Sequence, residues 1–404
     1  MSKLDELIKT LCPDGVEYKT LGELGSFYGG LTGKSKEDFT DGNAKFISYM
    51  NVYSNLALDV NMPDRVKVGD NERQNKVQLG DVLFTGSSEN TEECGMSSVL
   101  TTDTQELLYL NSFCFGYRFN DTSLFLPDFS KFLFRSDSLR KQIIRTASGV
   151  TRFNVSKKKM EKVIIPVPPM EVQSEIVRIL DNFTELTAEL TAELTARKKQ
   201  YEYYRDELLT FNENIKADKL SNLVDFRNGK GHEKDISETG KYIVVNSKFI
   251  STEGKVCKYS DNQIVPLYKD EILMVMSDLP NGRALAKCYI VEEDNKYTLN
   301  QRIGAFTIST KEIIPKFLYY VLNRNRQLLR YDNGVDQTNL RKDDILKIAI
   351  PIPALEQQER IVSILDRFDA LCNDISIGLP AEIEARKKQY EYYRDKLLTF
   401  KEVS

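Results

Sequence analysis

Two stretches of the chain carry apolar residues at steps of three and four positions, the spacing that places side chains on one face of an α-helix. The first stripe comprises Ile176, Leu180, Phe183, Leu186, Leu190, Leu194, Tyr201, Tyr204 and Leu208. The second comprises Ile361, Ile364, Leu365, Phe368, Leu371, Ile375, Ile383, Tyr390, Tyr393 and Leu397. Residues 170–211 would form a helix about 60 Å long at 1.5 Å per residue. Because so long a helix is poorly stable alone, we predict that the two stripes cover each other.

Prolines predict where these helices begin and break. Ile165-Pro-Val-Pro and Ile350-Pro-Ile-Pro favour an extended backbone, and Glu171 or Glu356 then falls in the first helical turn. Gly378 and Pro380 should interrupt the second helix, with Pro380 in the first turn of the restarted helix. This break has no counterpart in the first helix.

Shorter β-rich runs precede each helix, at 45–49, 82–85, 242–245 and 272–275, between Gly, Asn and Asp turns. Each preceding region therefore reads as a mixed α/β domain.

The whole pattern occurs twice. Ala196-Arg-Lys-Lys-Gln-Tyr-Glu-Tyr-Tyr-Arg-Asp206 recurs unchanged 189 residues later, ending at Asp395, and the Ile-Pro-x-Pro segments are 185 residues apart. The chain is therefore a variable region and a helix, written twice. We predict an N-terminal segment with the first variable domain over 1–165 and a helical spacer over 166–212. A second variable domain follows over 213–350, and a second spacer over 351–404.

The change of offset from 185 to 189 lies inside the helices, where the first copy repeats Thr-Ala-Glu-Leu. Thr187, Leu190, Thr191 and Leu194 bound these two units. Four residues are about one helical turn, roughly 6 Å of length and a rotation of about 40°. We interpret the unit as a spacer that sets the separation of the variable domains; the alternative is a tandem duplication without functional consequence.

The three tyrosines in each eleven-residue repeat point in different directions around the helix. A single seam, the line of contact between two paired helices, therefore cannot bury them all. Tyrosine and arginine are also favoured at protein interfaces. The identity of the two eleven-residue repeats fits a partner-binding surface that is present twice. The alternative is recent gene conversion or helix packing alone. Tyr201, Tyr204, Tyr390 and Tyr393 are accordingly assigned to the helix seam or to partner docking.

Composition narrows the function. A chain of 404 residues suits two or three domains, and a net charge of −4 argues against a freestanding DNA-binding protein. Six scattered cysteines without a CxxC pair predict reduced thiols in a cytoplasmic protein and no zinc site. With a single histidine, no membrane-length apolar run and no cofactor fingerprint, we predict no catalytic or metal-binding residues, no membrane partner and a non-enzymatic role.

Positive charge is nevertheless clustered. Residues 129–162 carry ten basic and two acidic residues, and 316–347 carry seven and four. Such a cluster compensates DNA phosphates or is simply a solvated face. The predicted DNA-binding residues are Arg152, Lys157, Lys158, Lys159, Arg341 and Lys342, with Lys34 and Lys230 from two glycine-rich turns. In these turns a backbone–phosphate contact competes with a plain turn, and we expect His232 at a surface or turn.

Taken together, the two variable regions, the Ile-Pro-x-Pro-x-x-Glu-x-Gln segments, the eleven-residue repeats and the Thr-Ala-Glu-Leu units resemble a specificity (S) subunit of a type I restriction–modification system, closest to the type IC branch. The resemblance implies an α+β fold with a pseudo-two-fold internal repeat. Two target recognition domains would be separated by two long helices that pair as an antiparallel coiled coil.

The same resemblance implies that each variable region reads one half of a bipartite, asymmetric site in double-stranded DNA, while the Thr-Ala-Glu-Leu count tunes the gap. It implies two methyltransferase (M) and two restriction (R) subunits as partners. S-adenosylmethionine, ATP and Mg²⁺ would be bound by those partners, with no cofactor in this chain. The alternative is a non-enzymatic coiled-coil adaptor whose variable domains bind proteins.

Overall fold

The computed structural model describes residues 2–232, 234–279, 284–373 and 377–403. They form two compact units. The first unit comprises Met1–Ala192 with Glu382–Ser404, and the second comprises Glu193–Ala381. Each unit thus combines one variable region with helix segments from both copies, so the compact units cut across the four consecutive segments inferred from the sequence.

The first unit contains twelve short strands among its described residues. They are β1 (Glu17–Thr20), β2 (Gly25–Gly29), β3 (Ala44–Ile47), β4 (Arg65–Val66), β5 (Val82–Thr85), β6 (Ser87–Ser88), β7 (Ser97–Val99), β8 (Leu108–Leu110), β9 (Cys114–Phe119), β10 (Ala147–Ser148), β11 (Phe153–Val155) and β12 (Ile164–Val167). The helices before the long one are α1 (Lys3–Leu11), α2 (Leu21–Leu24), α3 (Tyr49–Ser54), α4 (Pro127–Leu133), α5 (Asp137–Thr146) and α6 (Lys157–Met160), with a 3-10 turn at Lys36–Phe39.

Helix α7 (Met170–Leu208) runs from the first unit into the second. The second unit has strands β13 (Ala217–Lys219), β14 (Val224–Asn228), β15 (Ile236–Ser237), β16 (Tyr242–Val245), β17 (Tyr259–Ser260), β18 (Ile272–Val275), β19 (Ser277–Asp278), β20 (Cys288–Ile290), β21 (Tyr297–Leu299), β22 (Ile303–Ile308), β23 (Thr338–Asn339) and β24 (Ala349–Pro351). Its helices are α8 (Ser247–Ser251), α9 (Pro315–Leu322), α10 (Arg326–Leu329), α11 (Lys342–Leu346) and α12 (Leu355–Asn373), with a 3-10 turn at Leu220–Asn222; α13 (Leu379–Leu397) returns to the first unit.

Both units are built on the same sheets. The four-stranded antiparallel sheet β2-β9-β5-β7 of the first unit corresponds to β14-β22-β18-β20 of the second. A further sheet contains a parallel pair, β3·β8 in the three-stranded sheet of the first unit and β16·β21 in the four-stranded sheet of the second. All four residues of β5 and of β18 are buried, so both strands lie inside their units. The strands predicted at 82–85, 242–245 and 272–275 are confirmed, and the run at 45–49 divides between β3 and the start of α3.

The predicted helices are confirmed, including the break. Helix α7 is continuous over 39 residues, whereas the second helix is divided into α12 and α13, with Pro380 as the second residue of α13. Ile375, which the sequence places in the second stripe, lies outside the described residues.

The seam of α7 differs from the predicted stripe at one position. Leu186 is 45% exposed, whereas Thr187 beside it is half-buried. Half-buried positions follow at Phe183, Thr187, Leu190 and Leu194, in alternating steps of four and three. This is the 3.5-residue period of a coiled coil, in which the residue before Thr187 rotates out of the seam. The prediction for Leu186 was therefore wrong, and Leu371 is likewise exposed while the adjacent Cys372 is buried.

The helices pair in the antiparallel sense. In the first unit the ring of Phe183 stacks on Tyr393, with centroids 5.4 Å apart and an interplanar angle of 20°. In the second unit Phe368 stacks on Tyr204, at 5.8 Å and 28°. The early part of each copy thus meets the late part of the other copy. The predicted α+β fold with paired helices and an internal pseudo-two-fold repeat is confirmed.

Candidate nucleic-acid interface

Four basic residues of the first unit, Arg152 and the three lysines of α6, lie near a small β-hairpin. Strands β10 and β11 pair antiparallel, and β11 also pairs with β6, which brings Asn154 opposite Ser87. The hairpin tip, residues 149–152, turns at Gly149, whose φ of 148° favours glycine. Val150 at the tip is 90% exposed. The hairpin therefore presents its tip to solvent.

Arg152 is held on this hairpin by two neighbours. Its Nε donates a hydrogen bond to the Ser87 hydroxyl at 3.0 Å, and its guanidinium lies 5.9 Å from the ring centre of Phe113. Phe113 is itself 60% exposed, and Arg152 is exposed. The guanidinium is thus oriented by the protein without being enclosed by it.

The three lysines of α6 lie close to the hairpin. Lys157, Lys158 and Lys159 are all exposed on this short helix, which the Ser156 hydroxyl caps. The Lys157 ammonium lies 5.9 Å from the ring centre of Phe115, two residues along the chain from the aromatic ring that contacts Arg152. The structure therefore brings Arg152 and Lys157 to the same strand end.

The second unit repeats this arrangement with different side chains. Strand β23 pairs with β19 so that Asn339 is opposite Ser277, and the Gln337 amide donates to the Ser277 hydroxyl at 2.8 Å. Lys342 lies 5.4 Å from the ring centre of Phe226. Arg341, the residue before α11, is exposed. Gln337 was not among the predicted residues, although it stands 185 residues after Arg152, the offset of the repeat.

The glycine-rich turns have a structural explanation. A Cβ on Gly30 would collide with the carbonyl oxygen of Asn111, and one on Gly229 with that of Asn300. The two glycines therefore allow close backbone packing at corresponding places, which supports the plain-turn interpretation. Lys230, beside the second glycine, is exposed, and its amide donates to the Leu299 carbonyl at 3.1 Å.

Lys34 is committed to an intramolecular ion pair. Its ammonium lies 2.6 Å from both the Lys67 carbonyl and a Glu72 carboxylate oxygen, and its side chain is only 8% exposed. A DNA phosphate would have to displace both partners, so the structure contradicts the placing of Lys34 at the interface.

His232 is buried, although the sequence analysis expected it at a surface or turn. It is 1% exposed and hydrogen-bonds to the Lys230 carbonyl and the Thr298 hydroxyl.

Part of the basic cluster in 129–162 is structural. Arg135, which precedes α5, donates to the carbonyls of four residues, and Arg140 of α5 donates to the carbonyls of three. Lys131 is paired with Asp128 and Asp181. Burial lowers the pKa of Arg135 to about 10, which still leaves it charged at neutral pH. Fewer basic side chains of this segment are therefore available to a ligand than its net positive charge suggests.

The repeated tyrosines divide into four that pack within the units, of which Tyr204 is still 38% exposed, and two that are mostly exposed. Tyr201 and Tyr390 are half-buried in the cores of the two units, and burial raises the pKa of both phenols. Tyr204 and Tyr393 stack on seam phenylalanines. The rings of Tyr201, Tyr204 and Tyr393 thus contact the paired helix, as in the helix-seam alternative, whereas the ring of Tyr390 meets Phe132 of α4. Their neighbours Tyr203 and Tyr392 are 65% and 61% exposed, and counting the 3.5-residue period would have separated the two sets.

Both copies of the eleven-residue repeat also contact a variable region, through half-buried aspartates. Asp206 pairs with Arg326 in the second unit, and the Asp395 carboxylate accepts the Asp137 amide at 2.9 Å in the first. Each copy of the repeat therefore packs against a variable region of the other copy, which gives part of its identity an intramolecular cause.

Within the described ranges, no group of three or more His, Cys, Asp or Glu side chains could hold a metal ion. No helix in the same ranges is long and apolar enough to cross a membrane. All six cysteines are free thiols, and burial raises the pKa of Cys114 to about 12.

Comparison with known proteins agrees with the duplicated architecture. The family model described as the type I restriction modification DNA specificity domain matches residues 13–197 and 212–385. The chain belongs to this family. Each match spans one variable region and extends into the helical segment after it, as the internal repeat predicts, and the resemblance seen in the sequence is confirmed.

Relatives of the type I specificity family are similar over most of the chain. The EcoR124I/EcoR124II specificity subunit of Escherichia coli is 37% identical over 269 residues, covering 61% of this chain and 65% of that protein's length. A Haemophilus influenzae protein named as a putative type I restriction enzyme specificity subunit is 34% identical over 269 residues, covering 63% of this chain and 68% of its own length.

Solved structures show the same fold. The HsdS subunit from Thermoanaerobacter tengcongensis superposes with a TM-score of 0.50 at 18% identity, over 96% of this chain and 97% of that one. A chain from a structure of complex assembly and conformational transition in a type I R-M system gives a TM-score of 0.66 at 16% identity, over 95% and 97%.

Proposed function

We propose that this chain is the DNA-recognition subunit of a type I restriction–modification complex, and that each unit reads one half of a bipartite, asymmetric site. The observation that carries the proposal is the site built twice at corresponding sheet positions. One copy has Arg152 with the lysines of α6, and the other has Gln337 with Arg341 and Lys342. Exposed lysine and arginine neutralise phosphates, and a two-stranded ribbon fits the major groove of B-DNA.

The DNA contacts proposed for the first unit are Arg152, Lys157, Lys158 and Lys159; those for the second are Lys230, Arg341 and Lys342. Because the chain has a net charge of −4, a partner that adds positive field would strengthen binding. Catalysis belongs in this proposal to two M and two R subunits, which would bind S-adenosylmethionine, ATP and Mg²⁺.

Docking of the M subunits is proposed on the exposed face of the eleven-residue repeats. Tyr203 and Tyr392 are its most exposed aromatic side chains, each flanked by an exposed glutamate, Glu202 or Glu391. Two copies of one surface, on otherwise diverged units, suit two copies of one partner. The Thr-Ala-Glu-Leu units are proposed to set the gap between the half-sites through the length of α7.

The proposal is tested by methylation-sensitive sequencing of DNA from cells that co-express this chain with its cognate M subunit. We expect one bipartite motif with a fixed gap, methylated in both halves. A stable complex with active M that methylates no such motif would contradict the proposal and favour the protein-binding adaptor. Affinity of the complex for duplex DNA should also fall steeply as salt is raised.

A further inference from the structure

The two recognition sites carry different side chains at one equivalent position. Arg152 and Gln337 each stand two residues before an asparagine, Asn154 or Asn339, that pairs with a serine in a neighbouring short strand. Each side chain donates a hydrogen bond to that serine's hydroxyl, Ser87 at 3.0 Å or Ser277 at 2.8 Å. The backbone position, the hydrogen-bond partner and the exposure are thus shared, and only the chemistry of the side chain changes.

The turn before each side chain is also built to be fixed. In the first unit Gly149 closes the four-residue hairpin tip. In the second, the Asp332 carboxylate accepts the Gly334 amide, and the Asn333 side chain accepts the amides of Val335 and Asp336 at 3.0 and 3.1 Å. Each turn leaves one valine strongly exposed, Val150 at 90% and Val335 at 75%. A turn with a defined backbone path presents its side chains to a ligand at lower entropic cost than a segment that must first be ordered.

The bond to serine leaves the recognition atoms available. Arg152 uses its Nε, and among the described residues neither of its terminal nitrogens has a hydrogen-bond partner. Gln337 uses one hydrogen of its amide nitrogen, which leaves the second hydrogen and the carbonyl oxygen. Arginine donates two hydrogen bonds to O6 and N7 of guanine, whereas glutamine donates to N7 and accepts from N6 of adenine. The two side chains therefore match different purines.

Resting on the proposed function, we infer that Arg152 and Gln337 are equivalent base-reading residues: Arg152 selects a guanine in the half-site of the first unit, and Gln337 selects an adenine in the half-site of the second. Ser87 and Ser277 are positioning residues that hold the two side chains toward the base edges. The neighbouring lysines contact phosphates, which carry affinity but no sequence information. The asymmetry of the DNA site would thus arise partly from one exchanged side chain on a repeated scaffold.

The test is selection from a randomised duplex library by the full chain in complex with its M subunit, followed by sequencing of the bound DNA. Arg152→Gln should change one position of one half-site from guanine to adenine. Gln337→Arg should change one position of the other half-site from adenine to guanine. We expect the preference for the original base to fall by about tenfold or more in each variant, since a bidentate pair discriminates by that order.

Lys158→Gln is the matched control, because Lys158 is an exposed basic residue of the same surface. It should weaken binding to all sequences and lower the slope of log affinity against log salt by about one, with the motif unchanged. Both test positions are exposed and lie in different units, so either variant can report alone. An unchanged motif in Arg152→Gln and Gln337→Arg, or a uniform loss of affinity, would overturn the inference. Failure of the unmutated complex to select any motif would instead overturn the proposed function.

Discussion

At the residue scale, buried hydrogen bonds explain why both α7 and α12 carry a glutamine near their start, Gln173 and Gln358. Both side chains are fully buried. The Gln173 amide accepts from the Leu126 nitrogen at 2.9 Å and donates to the carbonyls of Leu124 and Pro168, both at 2.8 Å. Gln358 makes the corresponding three bonds to Ile314, Glu312 and Pro353. Each glutamine joins the start of its helix to the segment that leads into α4 or α9.

Replacement of Gln173 by alanine should lower the free energy of unfolding of the first unit by about 2–4 kcal/mol, because it leaves one buried amide and two carbonyls without partners. Urea denaturation of the full chain measures this loss. Glu189→Ala, at an exposed site of the same helix, should change the free energy by no more than about 0.5 kcal/mol. Equal denaturation midpoints for the two variants would show that the glutamine bonds contribute nothing net.

At the element scale, the 3.5-residue spacing of the long helices separates an inner face that packs in the helix seam from an outer face that stays exposed. Steps of four and three bury one side of α7, while the residues between them stay exposed. Tyr203 and Tyr204 are adjacent in sequence, yet one is 65% exposed and the other stacks on Phe368. The eleven-residue repeat can therefore be constrained on its inner face by the seam and on its outer face by a partner.

This division predicts different effects for neighbouring tyrosines. Tyr203→Ala combined with Tyr392→Ala should weaken the binding of M about tenfold or more while leaving the thermal midpoint unchanged, because large exposed aromatics anchor interfaces. Tyr204→Ala combined with Tyr393→Ala is the matched pair and should lower the midpoint, because two aromatic stacks are lost. Calorimetry of M binding and thermal unfolding measure the two effects. Wild-type affinity in the first double variant would rule out docking at these side chains.

At the scale of the whole molecule, two units of related construction are joined through helices that exchange between them. Each unit takes its variable region from one copy and a terminal helix segment from the other. A duplicated sequence has thereby become a chain in which neither copy completes a unit alone. Under the proposed function, the length of α7 sets the gap between the two half-sites in the DNA.

Deletion of residues 191–194 should shorten the gap in the methylated motif and leave both half-sites unchanged. The deletion removes one Thr-Ala-Glu-Leu unit, which is about 6 Å of helix with a rotation of about 40°. Glu193→Gln alters the same unit without changing its length and should leave the gap as it was. Methylation-sensitive sequencing of both variants checks this, and the spacer role fails if the deletion variant methylates the original motif.

The sequence by itself determined the features whose causes are local or repeated. The helical period over 170–208, the break at Gly378 and Pro380, and the duplication are all readable, because helical side-chain spacing and proline geometry act within a few residues. The strands at 82–85 and 272–275 were equally readable, because β-rich runs between Gly, Asn and Asp turns favour a strand locally.

Only the tertiary structure decided which charged and polar side chains remain available to a ligand. Lys34 meets partners 33 and 38 residues away, Arg135 meets carbonyls 80 or more residues away, and His232 meets a hydroxyl at a separation of 66. The equivalence of Gln337 with Arg152 likewise depends on strand pairing that brings each beside its serine. A sequence states the charge of a side chain, but whether protein or water satisfies that charge depends on residues that only the fold brings together.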